Sequence, residues 1–268
     1  METTSTNAVK IDMAKNVVID LKKEKDIENE NADTVLCLDF SQSMYTLYHS
    51  GFVQQVMNRN IPIALGFDPK GSMPVYIFND DAWRILPDVT LENLDDYVKN
   101  NILSKYNFGG TMYAPAIKMI TNNFVKANNA EPEQSIAGKI GSWFSGKKPE
   151  AKQVTVERPT FVLFLTDGEN FDKTDSQAAI VDAAKHAIFW QFIGLQSSSS
   201  DTFSFLTKLD KLSGRFIDNA NFIQLSDKQM VEDPKHKTVY LDDKALYSLL
   251  LNEFPGYIKE ARTKKLIK

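Results

Sequence analysis

The sequence predicts a doubly wound α/β fold: a mostly parallel sheet with one antiparallel edge strand and helices on both faces. Three observations predict it. Short unbroken apolar runs, such as Val35-Leu36-Cys37-Leu38 and Phe161-Val162-Leu163-Phe164-Leu165, suit strands buried on both faces. Stretches with apolar residues at helical spacing separate such runs, which calls for right-handed crossovers. Finally, Asn79-Asp80-Asp81-Ala82 lies between two strand-like runs and reads as a hairpin turn, which supplies the antiparallel edge.

At 268 residues the chain is long enough to bury a proper core, and its 43% hydrophobic and 25% charged residues are ordinary for a globular protein. A net charge of −4 gives no electrostatic reason to expect nucleic acid or an anionic membrane surface. The single cysteine, Cys37, sits inside an apolar run and excludes an intrachain disulfide framework. Met1 to Asn7 are followed by no long apolar segment, so neither a secretory signal nor a membrane span is expected and a cytoplasmic location is the default.

The elements follow in order. Residues 1–32 read as an N-terminal strand and charged linker: Val17 to Leu21 as a short edge strand or hairpin arm, and Lys22 to Asn31 as a solvated mixed-charge run. The main domain then spans 33–268. Val35 to Leu38 is its first buried strand, Met44 to Asn58 a helix, and Ile61 to Phe67 a second apolar strand ended by the turn signal Asp68-Pro69-Lys70-Gly71. Met73 to Phe78 and Trp83 to Leu86 form the hairpin. Leu91 to Leu103 and Tyr113 to Val125 carry helical patterns.

Residues 127–158, rich in Asn, Glu, Lys, Gly and Ser, read as a mobile insertion longer than most connections in compact domains. Within it, Trp143 and Phe144 form either a partner-docking element or a segment that folds back on the domain. Phe161 to Leu165 is a strand, Gln177 to His186 a helix, Ile188 to Ile193 a strand and Thr202 to Leu212 a helix. Arg215 to Ile223 is a final strand interrupted at Asp218-Asn219. Lys244 to Arg262 is an amphipathic helix bent or broken at Pro255-Gly256.

Ligands of open α/β sheets bind beyond the carboxyl ends of the strands, where strand order reverses. Two buried strands here deliver an Asp at that end, Asp39 and Asp167. If those strands are neighbours, both carboxylates converge with the hydroxyls of Ser41, Ser43 and Thr111. Two carboxylates and three hydroxyls, without His or thiolate, make a hard-oxygen site suited to Mg²⁺ or a similar cation. Each hydroxyl also has a plainer reading, since Ser41, Ser43 or Thr111 could simply cap the helix that follows it. The adjacent Gly109 and Gly110 are expected to allow an unusual turn before Thr111.

Asp39-Phe40-Ser41-Gln42-Ser43, Gly109-Gly110-Thr111 and Thr166-Asp167-Gly168 resemble, in order and separation, the three segments of the metal-ion-dependent adhesion site (MIDAS) of von Willebrand factor A (vWA) domains. Leu212 to Ala220 and Leu249 to Pro255 further resemble the bacterial tellurium-resistance vWA proteins of the TerF type. The resemblance implies a metal site of Asp39, Ser41, Ser43, Thr111 and Asp167. In it the hydroxyls contact the metal directly or through a ligand-dependent shell, and the two Asp hold waters or switch between direct and indirect coordination. It further implies Mg²⁺, or Mn²⁺ or Ca²⁺, as the cation. The partner it implies is a protein offering an Asp or Glu carboxylate, with other tellurium-resistance proteins as candidates, in a cytoplasmic stress response. Relatives of that type carry a TerD-like calcium-binding domain upstream, for which the short N-terminal segment leaves no room. Gln42 stands where many members have Gly, so a strained loop and altered metal affinity are expected there.

A non-enzymatic binding module is therefore the leading expectation. The alternatives are an Mg²⁺-dependent phosphoester hydrolase with Asp39 as nucleophile, and a scaffold with a degenerate site. Against the hydrolase, the position two residues after Asp39, where a second Asp would serve as general acid, is Ser41. Neither serine has a Gly-flanked elbow, and none of His49, His186 and His236 adjoins a candidate nucleophile in sequence.

Overall fold

The computed structural model describes residues 2–68, 70–129, 154–196, 203–232 and 240–268. Its centre is a six-stranded sheet built from β1 (Asp33–Asp39), β2 (Met73–Phe78), β3 (Ala82–Val89), β4 (Thr160–Thr166), β5 (Ile188–Gln196) and β6 (Ala220–Ser226), in the order β3-β2-β1-β4-β5-β6. All neighbours are parallel except β2 and β3, the expected hairpin, which places one antiparallel strand at the edge. The chain builds outward from β1 to β3, then restarts beside β1 with β4 and builds the other way. Order therefore reverses between β1 and β4.

The period-2 alternation of strand side chains divides the core in two. Leu36 and Leu38 of β1, Phe161, Leu163 and Leu165 of β4, and Phe189 and Ile193 of β5 face one side. There they join α1 (Glu2–Glu24), α3 (Phe52–Phe67), α8 (Asp243–Leu250) and α9 (Phe254–Thr263). Val35, Cys37, Val162, Phe164, Ile188, Trp190 and Phe192 face the other, against α4 (Ala114–Asn129), α5 (Lys173–Ala183) and α6 (Ser204–Asp210). Two short helices, α2 (Tyr45–His49) and α7 (Asp227–Met230), follow β1 and β6, and α7 is closed by a reciprocal Ser226–Gln229 capping box.

Several local expectations are corrected. Val17 to Leu21 is not a strand but part of α1, whose buried residues Ile11, Ala14, Val18 and Leu21 recur at helical spacing. The charge run after it is not simply solvated. Lys22 is 5% exposed, its Nζ donating to the carbonyls of Glu30 (2.7 Å) and Gly66 (3.0 Å) above the Phe67 ring. Ile61 to Phe67 is the second half of α3 rather than a strand. An apolar run covered on nearly every side has no period to read, and α3 carries Pro62 in its interior.

The first half of the Leu91 to Leu103 pattern is turn, because Asn93 bonds locally, accepting from Thr90 N and donating to Asp88 O; helical winding begins near Tyr97 and ends in a π-turn over Lys99–Leu103. Arg215 to Asn219 is a turn preceding β6, since the Arg215 guanidinium folds back on the carbonyls of Leu212 and Asp210. The C-terminal helical stretch breaks at Leu251 to Glu253, upstream of the expected point. Pro255 lies in the first turn of α9, where a missing N–H costs nothing. Most of the 127–158 insertion, with Trp143 and Phe144, lies outside the described residues, as does His236.

Candidate metal centre

β1 and β4 pair from Asp33 opposite Thr160 to Leu38 opposite Leu165, so Asp39 and Thr166 end neighbouring strands at the reversal of order. Asp39 is fully buried. Its Oδ1 accepts from the Ser41 backbone N–H (2.7 Å) and its Oδ2 from the Thr166 hydroxyl (2.5 Å). Ser41 Oγ lies 3.0 Å from Ser43 Oγ, and Ser43 Oγ donates to Asp167 Oδ1 at 2.7 Å. Four of the five expected residues, Asp39, Ser41, Ser43 and Asp167, thus form one connected network across 128 positions of sequence. The 3-10 turn that begins at Gln42 uses neither hydroxyl as a cap: Ser41 is its N-cap residue, but its side chain makes no capping bond.

The fifth residue, Thr111, is 8% exposed and its hydroxyl bonds to none of the four. Its loop reaches the site through the backbone. Gln42 N donates to Gly109 O (2.9 Å) and Phe171 N to Thr111 O (2.9 Å), which ties the loop to those following β1 and β4. Thr111 does not cap α4. That role belongs to Asp172, whose Oδ1 and Oδ2 accept from the backbone N–H groups of Tyr113 (3.0 Å) and Ala114 (2.8 Å). By position Asp172 is the N-cap of α5, yet it makes no side-chain cap there.

Gly109 and Gly110 are required for a reason other than the expected one. Neither has positive φ. Both are pressed against the turn between β2 and β3, where a Cβ on Gly109 would stand 2.5 Å from Asp80 Oδ2 and 2.8 Å from Asn79 Nδ2, and one on Gly110 would meet Asp80 Oδ1. That close approach is bonded: Gly110 N donates to Asp80 Oδ2 (2.8 Å), and Asn79 Nδ2 donates to Asn107 O (3.0 Å). Nor is Gln42 strained, since its backbone is outside the left-handed region.

The electrostatics are those of uncompensated acids. Burial, then the nearby Asp167 charge, pushes the Asp39 carboxyl up to about 7, against the lowering effect of its hydrogen bonds. Burial also raises Asp167, with the Ser43 hydroxyl pulling the other way. No cationic side chain contributes at either group. Among the described residues no three His, Cys, Asp or Glu side chains cluster as a metal cage, so this is a site of two carboxylates eked out by hydroxyls. Such a donor set is chemically suited to a hard divalent cation, Mg²⁺, Mn²⁺ or Ca²⁺, with waters completing the shell.

The residues that sequence reasoning missed are the supports. Thr166 holds Asp39, and Tyr113 OH bridges Thr166 Oγ1 (3.2 Å) and the Gly168 carbonyl. Thr166 was signalled by its place at the end of a buried strand, one residue before Asp167. The role of Asp172 in α4 had no local signal, because it is spent on a helix 58 residues away.

The chain is 29% identical over 261 residues to the uncharacterized protein YcbR of Bacillus subtilis (strain 168), covering 96% of this chain and 90% of that protein. Among solved structures it resembles proximal thread matrix protein 1 from the mussel byssus (16% identity, TM-score 0.49), covering 78% of this chain and 46% of that one. It also resembles the ArnB paralog VWA2 from Sulfolobus acidocaldarius (16%, TM-score 0.42), covering 75% and 43% of the respective chains. A third similar structure is the manganese-loaded TRAP protein of Plasmodium vivax (13%, TM-score 0.44), covering 73% and 69%. The chain thus spans less than half the length of the first two of these structures. A family model matches over residues 31–136 and 148–267, and the chain belongs to that family, the vWA-TerF-like domains, described as the vWA found in the TerF C terminus.

Proposed function

We propose that this chain is a non-enzymatic, metal-dependent protein-binding module, in which a divalent cation held by Asp39, Ser41, Ser43, Thr111 and Asp167 accepts an acidic side chain of a partner. The observation that carries this reading is the fully buried Asp39, hydrogen-bonded on both oxygens and influenced by a second carboxylate but by no cation. A bound cation would supply the missing positive charge and an open coordination position for a carboxylate oxygen. The chain's own part is to fix the donors: Thr166 and the Ser41 N–H orient Asp39, Ser43 joins Asp167 to the serine pair, and the Gly109–Thr111 loop is docked on Asn79 and Asp80. Because only two ligands carry charge, the cation keeps net positive character toward a partner.

A binding role is favoured over hydrolysis because the described histidines serve no nucleophile. His49 packs on Tyr45 and Phe108, and His186 lies near Phe124. Kinship with the TerF-type domains favours a place in a tellurite or chemical stress response in the cytoplasm, alongside other proteins of that response. Calorimetric titration of Mg²⁺, Mn²⁺ and Ca²⁺ into the wild type and Asp39→Ala tests the metal. We expect saturable binding to the wild type and at least a tenfold loss in the variant, on the order of what losing one charged ligand costs. Equal heats from both proteins would refute the site.

A further inference from the structure

Two exposed large apolar side chains among the described residues stand close in sequence to the proposed metal ligands, one at the start of α2 and one on the loop after β4. Tyr45, 47% exposed, follows Ser43 by two residues; Phe171, 79% exposed, follows Asp167 by four. Neither is a loose end. Tyr45 packs on Phe108 (5.2 Å between centroids) and His49 (4.2 Å), and Phe108 stacks at 4.1 Å on the buried Phe40 next to Asp39. The backbone at Phe171 is held on both sides. Its N–H donates to Thr111 O, and the neighbouring Asp172 carboxylate is locked to the start of α4 and to Asn170 and Ser176. Aromatic side chains on a fixed backbone have only two χ angles to lose when covered, which is the character of interface anchors.

The charge around them is one-sided. The three rim segments 39–45, 107–112 and 166–172 contain no Lys or Arg, but they contain Asp39, Asp167, Glu169 and Asp172, and Asp80 adjoins them through Gly110. The adjoining cation, Lys173, is already paired with Glu169 (2.6 Å), so an acidic partner is drawn chiefly by the bound cation, and its neighbouring residues meet aromatic surface. Resting on the metal-binding reading above, we propose that the partner presents an acidic side chain flanked by large apolar residues, and that Phe171 and Tyr45 receive those flanks on either side of the metal. Phe171 and Tyr45 then set which acidic segments are accepted, while the metal supplies only the requirement for an acid.

The test is a random heptapeptide display library panned on the full chain in Mg²⁺ and eluted with EDTA. In parallel, Mg²⁺ alone is titrated calorimetrically into the wild type and into the Phe171→Ser/Tyr45→Ser double variant, both of whose changes lie at exposed positions. We expect eluted peptides to carry Asp or Glu beside a large apolar residue. The double variant should bind Mg²⁺ as the wild type does yet lose about tenfold or more in affinity for a selected peptide, the scale of one anchor residue. Eluted acidic peptides without apolar neighbours, unchanged peptide affinity in the double variant, or basic peptides that stay bound in EDTA would each overturn the proposal. Failure of the wild type to take up Mg²⁺ would instead overturn the metal site, and this inference with it.

Discussion

A carboxylate removed from water with no cation beside it holds its proton far above its ordinary range, and Asp39 is such a group. The glycines near it are constrained too, though not to the same degree. A methyl group on Gly109 meets the buried, hydrogen-bonded amide of Asn79 at 2.8 Å, whereas one on Gly110 meets the exposed Asp80 carboxylate, which can swing aside. Gly109→Ala is therefore expected to cost about 1–3 kcal/mol as an overpacked site, and Gly110→Ala distinctly less. Urea denaturation of both variants decides the order, and equal losses would contradict the account. At this scale the sequence marks residues that the structure brings together, because an acid and two alternate serines after an apolar run are visible locally. It was misleading about the glycines and Gln42, since close approach to Asn79 and Asp80 depends on a hairpin some thirty residues away.

At the level of elements, the strands were legible wherever one was bounded by polar residues, as β1 and β4 are. Confusion arose where an apolar run is enclosed on nearly all sides. The second half of α3 reads like a strand because α1 covers the side that would otherwise be polar, and α1 was itself misread from its Val-Val-Ile core. The two errors have one cause, the contact between these helices. A Cβ at Gly66 of α3 would stand 2.6 Å from Val18 Cγ1 and 3.1 Å from Val18 Cβ. Val18 is fully buried and, being β-branched, has little rotamer freedom to yield. Gly66→Ala is expected to destabilise the fold by about 1–3 kcal/mol, and pairing it with Val18→Ala should recover part of that loss. A double-mutant cycle measured by chemical denaturation checks the coupling; strict additivity would show that the two residues do not meet.

For the molecule as a whole, the acid at the centre links folding to pH and, on the proposed reading, to metal. The folded chain keeps a proton on Asp39 until about pH 7, whereas the unfolded chain releases it near its ordinary value of 3.8. Between those values the folded state binds more protons, so metal-free stability falls as pH rises, with a slope approaching about 1.4 kcal/mol per pH unit from this group, and levels off above pH 7. A divalent cation at the proposed site would displace that proton, so stabilisation by Mg²⁺ should be full above pH 7 and fade as pH falls toward about 5. Thermal melts in EDTA and in Mg²⁺ across this range test both halves. Asp39→Asn should flatten the metal-free slope and abolish the metal effect, and an unchanged slope in that variant would assign the linkage elsewhere.

The fold's topology was readable from the alternation of runs, but the reversal between β1 and β4, which brings residues 39 and 167 together, appears only once strand order is known. That order has a practical corollary. Helix α4 starts at the rim, beside Asp172, and carries the chain to the opposite pole, from which β4 sets out again toward Asp167. Residues 137–147, over which the family model makes no match, fall between the two in the sequence. A reporter group or affinity tag grafted on the exposed residues that end α4, Lys126 or Asn128, is separated from the loops around Asp39 by the full height of the sheet, which makes that pole the natural handle for immobilising the protein with its Asp39 end facing outward.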